Sequence, residues 1–248
     1  MGVSIDLGGR VAIVTGSSSG IGEAIARRLA EAGCGVVVNS ATSVAAGEAV
    51  AASLPDAVYV AGDIGDPATA EALVSAAVDR WGRLDGLVNN AGRTLDIPLG
   101  DFERLSADDW EVVLRTNVIG TFLVTQAALP QLRRSDDAWV VNIGSIAGDR
   151  AVGSSLPYSV SKAGVAHLTT VLARFCGPEV RVNDLAPGLI ETPWTEGWGP
   201  MLAGVAAIAP LQRTGLPDDM ADACLALVGM RYLTGQTLIV DGGLRLVT

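Results

Sequence analysis

The chain predicts a single-domain α/β protein on an open, doubly wound parallel sheet with helices on both faces. Three observations carry this expectation. Short runs rich in Val, Ile and Leu alternate with longer segments whose apolar residues recur every three or four positions, the βαβ rhythm that gives a parallel sheet with right-handed crossovers. Within the runs apolar residues are consecutive rather than alternating, as in strands covered on both faces. A glycine loop follows the first run directly, which favours an open sheet over a closed barrel because open sheets bind ligands at the carboxyl ends of their strands. No linker, composition shift or internal repeat divides the 248 residues, so one domain spanning 1–248 is expected.

The elements follow in order. Residues 11–14 form a first strand, and 21–32 a helix with Ile21, Ile25 and Leu29 four apart, ended by Gly33. A second strand at 35–39, a helix at 44–53 and a third strand at 57–61 come next. The helix at 67–81 starts on Asp66 as cap and Pro67 in its first turn, with Leu73 and Ala77 on one face. Residues 86–88 continue as strand, 109–129 as a long helix and 138–143 as the fifth strand. A helix at 157–175, a strand at 180–185, a helix at 218–228 and a last strand at 237–240 complete the pattern. The stretch from Ile190 to Gly215, with Pro193, Trp194, Trp198, Met201 and Leu202 among glycines and prolines, reads as a long irregular loop. Loops of that length inside a compact domain are usually functional, often lids.

Bulk properties exclude several classes. Apolar residues make up 49% and charged residues 18%, so the chain is globular. The formal charge of −10 and the absence of a basic stripe argue against nucleic acid. Cys34, Cys176 and Cys224 are odd in number and widely spaced; this argues against structural disulfides and zinc, predicts no metal site, and suits a cytoplasmic location. The start shows no signal-peptide pattern, and Asp6 breaks the myristoylation pattern that Met-Gly opens. No uncharged apolar stretch reaches the eighteen or so residues of a membrane helix.

Lys162 is the only lysine, against sixteen arginines, and follows Tyr158 by four residues in Tyr158-Ser159-Val160-Ser161-Lys162. On a helix these two share a face. An ammonium beside a phenol favours the phenolate and would lower a tyrosine pKa from roughly 10, giving a general acid/base nearer neutrality. A plain surface Tyr and Lys one turn apart is the alternative reading of the bare pair. The loop Thr15-Gly16-Ser17-Ser18-Ser19-Gly20-Ile21-Gly22 joins the first strand to the first helix. Its glycines permit a tight turn and close approach to a pyrophosphate on the helix N-terminus. No Gly-Lys-Ser/Thr ends it, so it is not a P-loop.

The ordered set of Thr15-Gly16-x-x-x-Gly20-x-Gly22, Asn89-Asn90-Ala91-Gly92, Asn117, Ser145, Tyr158-x-x-x-Lys162, Pro187-Gly188 with Thr192, and Asp241-Gly242-Gly243 covers essentially the whole chain. In this it resembles the classical short-chain dehydrogenase/reductase family, with its Rossmann-type fold. The resemblance implies hydride transfer between a nicotinamide cofactor and a carbonyl or secondary alcohol. It implies a catalytic set of Asn117, Ser145, Tyr158 and Lys162. Tyr158 would exchange a proton with the substrate oxygen, Ser145 would hydrogen-bond that oxygen, and Lys162 would lower the tyrosine pKa and hold the nicotinamide ribose. Asn117 would bind a water linking the lysine to solvent.

For the cofactor, the resemblance points to Gly16, Ser18, Ser19, Gly20, Ile21 and Gly22 in the first loop and to Asp63 and Ile64 after the third strand. Asn90, Ala91 and Gly92 would border it, with Tyr158 and Lys162 at the ribose and Pro187, Gly188, Ile190 and Thr192 beside the nicotinamide. The second strand ends in Asn39-Ser40-Ala41-Thr42 without an acid. An acid there usually holds the adenosine ribose and selects NAD; without one, a 2′-phosphate meets no repulsion and finds hydroxyls on Ser40 and Thr42. NADP(H) is therefore expected over NAD(H), although no basic residue stands among Ser17, Ser18 and Ser19.

The substrate pocket is expected to be apolar, closed by Trp194 and Trp198 with Thr94, Leu95, Ser145, Ile146, Val152 and Ser155; the alternative is that the two tryptophans anchor the loop to the core or to a neighbouring subunit. Arg93 and Arg150 are the nearest cations, and no paired cations in the lid mark a carboxylate or phosphate site, so a small, largely neutral ketone, aldehyde or alcohol fits; the resemblance leaves sugar, steroid, polyketide and 3-oxoacyl ligands open. His167, the only histidine, falls on a different helix face from the Tyr–Lys pair. The resemblance implies a homo-oligomer, a tetramer or a dimer, paired through two long helices and the C-terminal strand. The rivals are a silent nucleotide-binding scaffold of the same fold and a reductase of C=N or C=C bonds.

Overall fold

A computed structural model of the chain describes residues 5–247. Seven strands form one sheet: β1 (Val11–Val14), β2 (Gly35–Ser40), β3 (Ala57–Ala61), β4 (Gly86–Asn89), β5 (Ala138–Ile143), β6 (Val180–Pro187) and β7 (Thr237–Val240). Their order is β3-β2-β1-β4-β5-β6-β7, with every neighbouring pair parallel. The chain winds outward from β1 in one direction and from β4 in the other. The predicted doubly wound sheet is therefore present, and its switch point lies between β1 and β4.

The helices are α1 (Gly20–Glu31), α2 (Val44–Ser53), α3 (Pro67–Trp81), α4 (Ala107–Leu114), α5 (Thr121–Leu132), α6 (Leu156–Cys176), α7 (Gly199–Ile208) and α8 (Pro217–Gly229). Two apolar layers hold them to the sheet. On one face Val14, Val38, Val141 and Leu185 pack with Ile25 and Leu29 of α1 and Met220 and Cys224 of α8. On the other, Ile13, Leu87, Val140 and Val182 pack with Leu73 of α3, Val124 and Leu132 of α5 and Ala173 of α6. Each fully buried Leu or Ile contributes roughly 1.5–3 kcal/mol, which is why these continuous runs form the sheet.

Local signals set the boundaries. Asp66 accepts a hydrogen bond from the Ala68 amide at the start of α3, Pro67 fills the first turn, and Gly82 at φ +70° ends it. Ser106 and Asp109 form a reciprocal cap on α4. Boundaries otherwise differ from the sequence expectation by up to three residues, the most at Leu132 where the long helix ends, with one larger exception. The stretch 190–215, expected to be irregular, contains α7 and a short 3-10 turn at Pro193–Thr195.

α4 and α5 run as one helix through a π-type turn at Arg115–Gly120. By length and composition alone this 26-residue helix would cross a membrane. In the fold it belongs to the core: Val113, Val124, Ala128 and Leu132 are buried, and so are Asn117, Thr121 and Thr125. The threonine hydroxyls return to carbonyls four residues back, Thr121 to Asn117 and Thr125 to Thr121, so they add no unpaired polar group. Cys34, Cys176 and Cys224 are all free and buried.

Candidate active site

The carboxyl ends of β1, β2, β4, β5 and β6 open into one cleft of about 810 Å³. Its floor begins at the loop after β1. Gly16 has φ +61°, and a Cβ there would stand 2.7 Å from Ala91 Cα. A Cβ on Gly22 would meet Asn90 Nδ2 at 2.4 Å. Glycine is required at both positions because the β1–α1 loop is pressed against the end of β4. Thr15 Oγ1 accepts hydrogen bonds from the amides of Asn90 and Ala91, both at 3.0 Å, while Asn90 Nδ2 donates to the carbonyls of Thr15 and Gly16 at 2.9 Å. Ser19, at the N-terminus of α1, makes no side-chain cap, so the first amides of that helix face the cleft free to meet an anion.

This cradle of backbone, with glycines where a Cβ would fill the space, fits a dinucleotide. Gly16, Ser18, Ser19, Gly20, Ile21 and Gly22 all line the cleft. So do Asn39, Ser40, Asp63, Ile64, Asn90, Ala91 and Gly92 along one wall, and Pro187, Gly188, Ile190 and Thr192 along the other. Besides Asn90, the side chains of Asp63, Asn39 and Ser40 are already engaged, Asp63 by accepting from the Gly65 amide. Asn39 accepts from the Gly16 amide and donates to the carbonyls of Val60 and Gly62. The Ser40 hydroxyl is bonded to Tyr59 Oη at 2.8 Å and to the Ser43 carbonyl at 3.1 Å. The sequence expectation that Ser40 offers its hydroxyl outward is thus corrected; Thr42 and Ser43, exposed at the same rim, are the free hydroxyls there.

At the centre of the cleft stand Ser145, Tyr158 and Lys162. α6 carries the last two one turn apart, with Lys162 Nζ 5.6 Å from the centroid of the Tyr158 ring. Nζ donates to the Ile143 carbonyl at 2.6 Å. Ser145 follows β5, accepts from the Ala147 amide at 3.1 Å and stands beside the Tyr158 phenol, where it favours the phenolate. Burial pushes the Lys162 ammonium down to about 8, against the opposing charge of Asp184. Burial also holds the Tyr158 phenol above its ordinary value, with Ser145 working the other way. The sequence expectation was a phenol made more acidic by its lysine. In the folded chain burial governs instead, because removing the phenol from water penalises its anion.

Asn117, 1% exposed, lies in the π-type turn and does not reach the cleft surface. Its Oδ1 accepts from the Arg93 amide at 2.7 Å, and its Nδ2 donates to the Arg93 carbonyl at 2.9 Å and to Ser161 Oγ at 2.8 Å. It ties the segment after β4 to α6, one residue from Lys162.

The substrate side is divided. Ile146, Val152, Trp194 and Trp198 line the cleft, joined by Met201, Val205 and Ile208. Those last three lie at i, i+4 and i+7, one face of α7. Thr94 and Ser155 do not line it. Ser155 is buried and caps α6 by accepting from the Tyr158 amide, and Thr94 Oγ1 is bonded to the hydroxyls of Ser154 and Ser155. Their hydroxyls serve the helix start instead, where an N-terminal amide needs a partner. Leu99 and Leu244 also line the cleft; no local sequence signal marks them, since they are brought in by tertiary folding alone.

A family model described as enoyl-(acyl carrier protein) reductase matches residues 16–245. The chain is 54% identical over 240 residues to "Granaticin polyketide synthase putative ketoacyl reductase 2" of Streptomyces violaceoruber, covering 96% of both chains. It is 36% identical over 247 residues to the 3-oxoacyl-(acyl carrier protein) reductase FabG of Thermotoga maritima, covering 96% of this chain and 98% of that one. Among solved structures it matches a short-chain dehydrogenase/reductase of the glucose/ribitol dehydrogenase type from Brucella melitensis with a TM-score of 0.91 and 30% identity, over 98% of this chain and 99% of that one.

Proposed function

Because this chain belongs to the classical short-chain dehydrogenase/reductase family and is an oxidoreductase of the carbonyl–alcohol couple, we propose that it is an NADPH-dependent ketoreductase of an apolar 3-oxoacyl or polyketide-type ketone. The observation that carries this reading is the meeting of Ser145, Tyr158 and Lys162 in one cleft, between the glycine loop and the apolar face of α7. The curated relatives' names support the substrate class.

A nicotinamide held in this cleft would supply the hydride. The chain's own residues supply the rest. Tyr158 Oη gives its proton to the carbonyl oxygen as that oxygen gains an electron pair. Ser145 donates a hydrogen bond to the same oxygen, an interaction stronger in the transition state than in the ketone. The Lys162 ammonium stabilises the phenolate left behind, which offsets the burial that raises the phenol. Asn117 fastens the wall beside the lysine. Trp194, Trp198 and α7 keep water from the reacting carbon.

Selection of NADPH rests on the end of β2, where Asn39, Ser40, Ala41 and Thr42 include no acid to repel a 2′-phosphate. A homo-oligomer is part of the proposal. Val112, Ile119 and Phe122 on α4–α5 and Val160, Val171 and Phe175 on α6 are exposed, and a second copy packed on those two helices would cover them. Three buried free thiols suit a cytoplasmic enzyme.

The decisive experiment follows NADPH consumption with a bicyclic ketone and a 3-oxoacyl thioester, beside a Tyr158→Phe control. No turnover of either substrate would overturn the reading and favour a silent nucleotide-binding protein. The description of the family model supports a second reading, reduction of a C=C bond. Ser145 favours the carbonyl, since its hydroxyl is placed beside the Tyr158 phenol to stabilise a developing alkoxide. An enone separates the two, giving an allylic alcohol in one case and a saturated ketone in the other.

A further inference from the structure

β6 carries an acid that hydride transfer leaves unused. Asp184 is 1% exposed, and a carboxylate so deep in a protein is costly unless paired. Its Oδ2 accepts a hydrogen bond from Thr237 Oγ1 at 3.1 Å. Its Oδ1 is buried without a hydrogen-bond partner among the described residues.

Asp184 stands in register with Asn142 of β5, and partners in register on parallel strands point to the same face. Asn142 donates to Thr169 of α6. The Asp184 carboxyl therefore lies on the α6 side of the sheet, under the helix that bears Lys162. It also touches the backbone of Gly144, where a Cβ would come within 2.4 Å of Oδ1. Gly144 joins Ile143, whose carbonyl receives Lys162 Nζ, to Ser145. One buried carboxyl thus supports the segment that holds both the lysine and the serine.

We propose that Asp184 is a positioning residue: its carboxylate is the buried counter-charge that keeps Lys162 an ammonium and braces residues 143–145 beneath it. The proposal rests on the reading of Lys162 given above. Burial pushes Asp184 up to about 6 and Lys162 down to about 8, so both are charged between those values. The groups facing Asp184 are Lys162 from α6, the Thr237 hydroxyl from β7 and the Gly144 amide beyond β5; Lys162 is the charge among them. α8 packs on the opposite face with Leu185.

The sequence makes the test direct. Because Lys162 is the only lysine, protein grown on lysine carrying carbon-13 at Cε gives one lysine resonance. In the full-length wild type that resonance should titrate near 8, with a smaller inflection near 6 as Asp184 protonates. In Asp184→Asn the inflection should vanish and the lysine midpoint fall by about one pH unit or more, since an opposite charge is removed while burial stays. The alkaline fall of kcat/KM for carbonyl reduction should move down with it.

An unmoved lysine midpoint in Asp184→Asn would overturn the proposal. So would a wild-type lysine that titrates at its ordinary value without the lower inflection, a result obtainable even if the variant does not fold. Thr237→Val provides a further check, because loss of its hydroxyl should raise the inflection assigned to Asp184; an unchanged inflection there also counts against it. Full activity in Lys162→Arg would defeat the functional reading alone, whereas an unmoved titration with that variant inactive would defeat only this inference.

Discussion

The Tyr158 ring and the Trp194 indole meet edge to face, with centroids 6.0 Å apart and planes inclined at 65°. Trp194 lies in the turn Pro193–Thr195 between β6 and α7, and Tyr158 on α6. In the function proposed above, the segment that closes the pocket thus touches the proton donor directly. Such a pair contributes roughly 0.5–1.5 kcal/mol beyond burial, enough to couple lid position to phenol position. Trp194→Ala should lower kcat/KM for a bicyclic ketone about tenfold, corresponding to about 1.4 kcal/mol, and lower it less for a short-chain ketone. Equal losses on both substrates, measured by initial rates, would contradict a specificity role.

Tyr158→Phe removes the proton donor while keeping the ring and its contact with Trp194. The expected loss in kcat is about a thousandfold, within the range for general acid catalysis, with cofactor affinity retained. Fluorescence titration of NADPH against the variant checks the second half.

Lys162→Arg keeps a positive charge but places a planar fork where a compact ammonium donates to Ile143. Most activity should be lost. Near-normal turnover would remove Lys162 from the mechanism.

Ser40→Asp introduces the acid that β2 lacks. It should weaken NADPH and move preference toward NADH, by about tenfold or more in the ratio of their kcat/KM values, through repulsion of the 2′-phosphate. An unchanged ratio in the folded variant would remove repulsion at the end of β2 from the choice of cofactor.

At the amino end of β4, Asp85 is fully buried and bonded to Arg10, Arg83, Ser135 and the Val11 amide. Burial pushes its pKa up, but the bonds from Arg83, Ser135, Val11 and Arg10 win and hold the carboxyl below its ordinary value. A lowered folded pKa means that this stabilisation is complete above the unfolded carboxylate value of roughly 4 and is lost as pH falls through the folded value. Asp85→Asn should cost about 2 kcal/mol near neutrality, less than a fully enclosed ion pair because both arginines are partly exposed. Urea unfolding at neutral and at acid pH checks the size and its disappearance.

Much of this molecule was legible before its fold was known. The strands were visible because runs such as Val11–Val14 bury both faces, and α3 because Asp66, Pro67 and Gly82 each act within one turn. α7 was missed because Gly199, Pro200 and Gly204 imitate a loop and its residues are apolar all round, so the face of Met201, Val205 and Ile208 did not stand out from a polar one. Thr94 and Ser155 were placed in the pocket by their positions along the chain, yet capping needs of α6 turned their hydroxyls away.

The chain alone determined which residues approach the β1–β4 switch point, since strand periodicity, helix spacing and the glycine turn are local properties that depend on near neighbours. Tertiary structure decided the state of the groups there. The Tyr158 phenol is raised rather than lowered, the Ser40 hydroxyl is turned inward, and Asp184 lies under the lysine's helix from a strand that follows it. Those outcomes depend on desolvation and on register between distant strands, which sum over the whole packed interior and leave no mark at any one position.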